Sequence, residues 1–266
     1  MTLRGNIFGG SGIFRSAIFG GAGGAAPAGN GLLNNLIAYW PGNELNGNAL
    51  DLHTNALHLT DVNTVTSAAG VVYPLARQYT AANTEHHRRP GDDALLSTGD
   101  VDFTIAAWCN ADSLGAGTYP GIATKHDGNR EYMLFYHVPN GAFCILVSPN
   151  GVAAVELFST AGAAVTGAWY FVVGWHDSVA NTINIQVNNG AVDSMAHATG
   201  VWDDTNRFCI GAWQITAGYT SRRWDGRIGP TMFWKSNAGL GGVLTAAQRT
   251  ALFNAGAGLP YASFTL

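Results

Sequence analysis

Trp224-Asp225-Gly226-Arg227-Ile228-Gly229, the apolar run Thr231-Met232-Phe233-Trp234, and then Leu244-Thr245-Ala246-Ala247-Gln248-Arg249-Thr250-Ala251-Leu252-Phe253-Asn254-Ala255-Gly256 form the stretch that decides the fold class. Asp225-Gly226 marks a turn, because glycine accepts backbone angles that other residues resist. The run after Pro230 reads as a strand. Thr245 stands where a helix N-cap is needed, and Gln248, three residues on, completes a capping box. Gly256 supplies the stop. The chain thus closes with a turn, a strand and one short helix.

Outward from this end, apolar runs between short turns predict strands at Leu36–Trp40, Phe103–Cys109, Glu131–Val138, Ala142–Val147, Ala153–Phe158, Trp169–His176, Thr182–Val187 and Arg207–Ala212, with a last one at Arg227–Trp234. Asn140-Gly141, Asn150-Gly151 and Asn189-Gly190 are hairpin signals. Many short strands with turns at this spacing predict an all-β sandwich or jelly roll. Thr182-Ile183-Asn184-Ile185-Gln186-Val187 alternates, which predicts one apolar face and one wet face. Trp108 and Trp169, at the end and the start of dense apolar runs, are expected in the core.

Composition bounds the function. Hydrophobic residues make up 47% of the 266, but charged residues only 11%, against roughly 25% in an average soluble protein. The polar surface is therefore mostly uncharged. A net charge of −4 gives no basic field for nucleic acid. No apolar run reaches the length of a membrane-spanning helix. Met1-Thr2-Leu3-Arg4 is a faint echo of a secretion signal, but glycines and Arg15 interrupt the apolar stretch, so no cleaved leader is expected. Cys109, Cys144 and Cys209 lie in apolar runs without a Cys-x-x-Cys pair, and three buried reduced thiols are expected; one disulfide is the alternative.

Residues 1–31 are set apart as a glycine-rich arm before a domain at 32–266. The arm holds ten glycines, two charged residues and three Ile-Phe pairs: Ile7-Phe8, Ile13-Phe14 and Ile18-Phe19. So few large side chains cannot form a core of their own against the entropy of ordering glycine. A flexible tail is one reading. The apolar pairs, which a mere linker does not need, favour an arm that packs on another subunit.

The order of motifs resembles the concanavalin A-like, laminin-G-like jelly-roll family over about residues 36–256. Asp102-Phe103-Thr104-Ile105-Ala106-Ala107-Trp108 is similar to its Phe-Thr-Ile-x-x-Trp strand, and Gly167-Ala168-Trp169-Tyr170-Phe171-Val172-Val173 to its Trp-x-x-Val strand. Asn184-Ile185-Gln186-Val187-Asn188-Asn189-Gly190 resembles its next strand and turn, and Phe208-Cys209-Ile210-Gly211 a later one. The resemblance implies a jelly-roll sandwich with one short C-terminal helix. It does not fix a function, because one fold carries many sites.

Glucanases of this general fold carry Glu-x-Asp-x-Glu on one strand, which supplies the paired carboxylates of retaining hydrolysis. No such strand occurs here. Glu131 and Glu156 are isolated and expected on wet faces, so no enzyme is expected. The family's calcium site begins with an Asp/Asn turn, matched by Asp51 and Asn55, but its later acids are replaced in Asp225-Gly226-Arg227-Ile228-Gly229-Pro230. Calcium wants six or more oxygen ligands. A plain Asx turn is favoured over a weak calcium site, and no other cofactor is implied. Thr84-Glu85-His86-His87-Arg88-Arg89-Pro90 reads as a charged edge strand, or as an anion or subunit contact through Arg88 and Arg89. Adjacent His86 and His87 face opposite ways on a strand.

The long loop Trp213-Gln214-Ile215-Thr216-Ala217-Gly218-Tyr219-Thr220-Ser221-Arg222-Arg223 is the candidate recognition surface. Trp213, Gln214, Tyr219, Arg222 and Arg223 offer flat faces and planar hydrogen-bonding groups, suited to a glycan or a protein partner. A plug closing the sandwich end is the alternative for Trp213. Low charge, the arm and the family body together lead to an expectation of a non-catalytic virion surface component of a bacteriophage: a capsid decoration, knob or tail-fibre protein. Such a protein would be homo-oligomeric, anchored by its arm to other virion subunits, with its sandwich turned to host glycan. The alternative is an extracellular bacterial carbohydrate-binding module.

Overall fold

Side chains alternate along nearly every long strand, and this sorts them into three layers. The computed structural model describes residues 29–114, 119–213, 215–217, 222–236 and 241–266. The Ile-Phe pairs of the arm, with Gln214 and Tyr219, lie outside these described residues. Fifteen strands run in chain order: β1 Leu36–Trp40, β2 Thr60–Val62, β3 Thr66–Ala69, β4 Leu75–Tyr79, β5 His86–Arg88, β6 Phe103–Ala111, β7 Gly121–Asp127, β8 Asn129–His137, β9 Ala142–Val147, β10 Val155–Phe158, β11 Trp169–Asp177, β12 Thr182–Val187, β13 Val192–Ala196, β14 Phe208–Ile210 and β15 Gly226–Lys235. Among the described residues a single α-helix, α1, spans Ala246–Phe253.

The strands form two antiparallel sheets, a sandwich of jelly-roll type. The first has the order β13-β12-β11-β6-β15-β4-β3, with β1 also paired to β15. The second has the order β10-β9-β8-β7-β14-β5-β2. Register along β15 breaks between Ile228 and Thr231, at Gly229-Pro230, where proline lacks the N–H that a regular ladder needs.

Between the sheets lie Phe103, Ile105 and Cys109 of β6, Tyr132 and Leu134 of β8, and Phe233 of β15. The alternate residues of the same strands point outward and are also buried. On the first sheet, Trp108, Phe171 and Trp234 lie under Leu252 of α1 and Phe264 of the C-terminal tail. Trp108 stacks against Phe171 and Phe253, which also meet each other, so it is a core residue of this outer layer; Trp169 is only half-buried, beneath the guanidinium of Arg227. Gln186, expected on a wet face, is buried: its Oε1 accepts 2.8 Å from Arg249 Nε of α1. The third layer is the outer face of the second sheet, with Met133, Phe135, Cys144 and Leu146 under Trp213.

Turns and caps follow the sequence with small shifts. Thr245 and Gln248 form the capping box. The helix ends at Asn254, which takes the left-handed conformation at φ 45°, four residues after Thr250 whose carbonyl it caps, and not at Gly256. The β12–β13 turn centres on Asn188 and Asn189, both at positive φ, the pair of angles that a tight I′ turn requires; it lies one residue earlier than expected. All three cysteines are free and buried.

Five strands escaped the sequence reading: β2, β3, β4, β7 and β13. Two carry buried cations that spoil the apolar pattern, Arg77 in β4 and Lys125 in β7. His86 and His87, expected on an exposed edge, are buried, and β5 lies inside its sheet between β14 and β2. They do face opposite ways. His87 accepts or donates at 2.9 Å to Tyr79 Oη within the sandwich, and His86 meets Arg223 on the outer side.

Candidate functional site

Between β14 and β15, the described residues 211–213, 215–217 and 222–223 lie over the outer face of the second sheet and are fixed there at three points. Trp213 inserts first. Its indole N–H donates to the carbonyl of Tyr119, and its ring lies 4.6 Å from that of His126. A β-carbon on Gly121 would stand 3.0 Å from Trp213 Cδ1, so the smallest residue admits the ring. Second, Thr216 donates through its N–H at 3.1 Å and through its hydroxyl to the carboxylate of Asp127, at the tip of β7. Third, Arg223 bridges to Ala212 and reaches His86 Nδ1 at 3.1 Å.

Of the sequence-derived patch, Trp213 and Arg223 are therefore buried, at 7% and 4% exposure. Neither turns a face to solvent; both hold the loop. Arg222 is half-buried and lies with its guanidinium carbon 4.2 Å from the centre of the Trp213 ring, a cation–π contact. The surrounding field is positive. Burial, with help from Arg130 and Arg222, pushes His126 down to about 4, and burial pushes His86 down to about 4. Both imidazoles are neutral near pH 7. Burial also lowers Arg223 from its ordinary value.

The calcium candidates are spent on backbone. Asp51 Oδ1 accepts from the N–H of Tyr39 and of His53, and Oδ2 from that of Leu57, all within 2.9 Å. Asn55 donates to the carbonyl of Ile37. Among the described residues no group of three or more His, Cys, Asp or Glu converges as a metal set. In the charged segment Thr84–Pro90, Arg89 pairs with Asp93 at 2.9 Å and donates to the carbonyl of His58.

Glu131, expected on a wet face, is fully buried at the end of the sandwich. Its Oε2 lies 2.8 Å from Lys125 Nζ, itself fully buried and 3.0 Å from Asp92. Glu131 also accepts from the N–H and hydroxyl of Thr98 and from the N–H of Asp204. Burial nevertheless dominates and raises its carboxyl above the ordinary value. Most other acids are engaged in the same way: Glu85 holds Thr80 and Asn83, Asp102 holds Ser178, and Asp193 holds Thr160. Only Asp100, Glu156 and Asp203 of the seventeen accept no hydrogen bond from the described residues.

The family model of laminin-G type, described as Concanavalin A-like lectin/glucanases superfamily, matches residues 83–238, more than half of the 266. The chain belongs to this superfamily. No curated protein matches it in sequence. Among solved structures, the binding domain of Paraclostridial mosquitocidal protein 1 superposes with a TM-score of 0.64 at 12% identity, over 83% of this chain and 52% of that one. The binding domain of botulinum neurotoxin DC, in complex with SialylT, gives 0.58 at 9% identity, over 83% and 51%. This chain thus spans about half the length of either toxin domain. Domain 4 of AbnA, a GH43 extracellular arabinanase from Geobacillus stearothermophilus, in complex with arabinotriose, gives 0.53 at 16% identity over 81% of this chain and 97% of that one. At such identities the likeness is one of fold.

Within this concanavalin A-like sandwich, two features lie beyond the sequence reading. One is the buried Lys125–Glu131 pair, on neighbouring strands β7 and β8, with the more distant and exposed Asp92 at its rim. The other is Trp202. Seven of the eight tryptophans are buried or half-buried; Trp202 is 46% exposed. Its setting, Trp202-Asp203-Asp204-Thr205-Asn206-Arg207, was a legible signal: a lone aromatic in a polar, strandless segment. A cleft of about 320 Å³ also lies beside Tyr170, between Thr160-Ala161 and the β12–β13 turn.

Proposed function

We propose that this protein is a non-catalytic recognition module that binds a glycan through its loops. The observation that carries this reading is the fate of its carboxylates. A glycosidase needs two carboxyl groups free to face one substrate bond. Here the buried acids are consumed by backbone amides, hydroxyls and Lys125, and they serve the fold. What remains at the loop surface is planar and hydrogen-bonding: Arg222, Trp202 and amide side chains. Glycan complexes of two superposable domains, with arabinotriose and with SialylT, lend support.

The test is direct. The protein should be retarded in gels containing a glycan that it recognises, and should release no reducing sugar from that glycan on long incubation. Release of reducing ends would overturn the non-catalytic reading.

A second element rests on residues 1–31. Their ten glycines and three Ile-Phe pairs favour an arm seated on another polypeptide, which suits display on a bacteriophage virion surface as a decoration, knob or fibre component. An extracellular carbohydrate-binding module without such an anchor is the alternative. Deleting residues 1–31 should abolish co-sedimentation with the particle and leave glycan binding unchanged. Retention of the truncated protein on the particle refutes the anchor.

A further inference from the structure

We infer that Trp202 is the stacking platform of a subsite for a neutral oligosaccharide, an inference that rests on the glycan reading above. Four of the six buried indoles donate their N–H groups within the fold: Trp40 to Leu57, Trp213 to Tyr119, Trp224 to Asn110 and Trp234 to Leu32. Trp202 is exposed, and none of the described residues accepts its indole N–H. The exposed half of this ring adds no hydrophobic stabilisation, so it contributes less to the fold than the buried tryptophans do.

The ring is nonetheless held. The backbone N–H of Trp202 donates at 2.7 Å to the carbonyl of Ser148, and Val201 beside it is buried. A β-carbon on Gly151, at φ +81°, would stand 3.2 Å from Cδ1 and Nε1 of the indole and 3.7 Å from Cβ of Asn129. The pyrrole side of the ring therefore rests on the β9–β10 turn, next to the β7–β8 turn. These segments are tied together. Arg130 N–H donates to the carbonyl of Gly151, Arg130 Nη1 to that of Val152, and Asn206 Nδ2 to that of Asn129. Three loops thus fix one aromatic in place, which lowers the entropy lost when a ligand stacks on it.

The chemistry around the ring selects the ligand. Asn129 and Asn150 are exposed and Asn206 half-buried, and all three sit on the segments that carry the ring. Side-chain amides both donate and accept, as sugar hydroxyls do. The residue next to Trp202 is Asp203, exposed and without a hydrogen-bonded partner among the described residues. An unpaired carboxylate accepts from hydroxyls and repels sialic acid or sulfate. The apolar face of an uncharged pyranose or furanose on the indole, with its hydroxyls toward these groups, satisfies both.

The test is an array of neutral, sialylated and sulfated oligosaccharides, probed with the full chain and with Trp202→Ala and Trp202→Phe. Wild type should bind neutral members. Trp202→Ala should lose at least tenfold in affinity with an unchanged urea midpoint, and Trp202→Phe should retain an intermediate affinity. Neutral-glycan binding that Trp202→Ala leaves intact overturns the platform but not the glycan reading. So does binding confined to sialylated or sulfated members. A wild-type protein that binds no oligosaccharide overturns both, including the case in which Trp202 proves to contact a protein.

Discussion

Replacing Trp213 with Ala separates a contact residue from a structural plug. The ring is 7% exposed, packs on Met133, Phe135, Cys144 and Leu146, and donates to the Tyr119 carbonyl. A buried tryptophan removes on the order of 200 Å² from water, worth ~5 kcal/mol at about 25 cal/mol per Å². Truncation keeps the β-carbon but leaves a cavity and an unpaired carbonyl, so the expected loss is about 3–5 kcal/mol. For a domain of this size that lowers the melting temperature by roughly 6–20 °C. Arg222→Ala, which removes only the cation above the ring, should lose about 0.5–1 kcal/mol. Urea denaturation followed by circular dichroism reads both. A Trp213→Ala protein within about 1 kcal/mol of wild type would refute the plug and return Trp213 to the binding surface.

Acid should weaken the fold through His86, His87 and His126, whose folded pKa values are depressed by burial to about 4, 3 and 4. The unfolded chain, with ordinary values near 6.5, takes up protons that the folded chain refuses. Stability is therefore full above about pH 6.5 and falls below it by up to ~1.4 kcal/mol per pH unit for each histidine; urea midpoints unchanged between pH 6.5 and 4.5 contradict this. Glu131→Ala strands the Lys125 ammonium and the N–H groups of Thr98 and Asp204, and should destabilise by about 3–5 kcal/mol; a loss under about 1 kcal/mol shows the group to be dispensable. Thr245→Ala removes the capping box of α1 and should lose ~1 kcal/mol, read from the same urea curves. Cys109, Cys144 and Cys209 are buried with thiols pushed up, Cys209 to about 12, so a thiol reagent should label them only on denaturation; fast labelling of the native protein contradicts the burial.

The layered sandwich was legible because β6, β8, β9, β11 and β15 are long, apolar and bounded by turn residues. It was legible only where apolar residues made the pattern. Arg77 in β4 and Lys125 in β7 are buried through contacts with carbonyls and an acid on other segments, and nothing in their own strands announces those partners. The same reason hid Glu131. Gln186 and His86 read as solvent-facing because the segments that cover them, α1 and the 211–224 loop, arrive from elsewhere in the chain. The candidate loop was found correctly as unusual, but composition does not distinguish a tryptophan that plugs from one that binds. Trp213 and Trp202 differ in what lies over them, and only the folded chain decides that.

Asn30 and Thr265 clasp one another: Asn30 N–H donates at 2.7 Å to Thr265 Oγ1, and Thr265 N–H returns 3.0 Å to Asn30 Oδ1. Leu33 N–H adds a bond of 3.1 Å to the Thr265 carbonyl. The described domain therefore starts and finishes at one spot on its surface. Any polypeptide leading in and any leading out share a single point of departure, like two cords through one eyelet. A tether on either side holds the sandwich by the same corner and leaves the Trp202 loops in the same relation to it. A short linker could join the two ends, and new ends could be opened at an exposed turn such as Asp177–Ala180, without changing how the domain is presented.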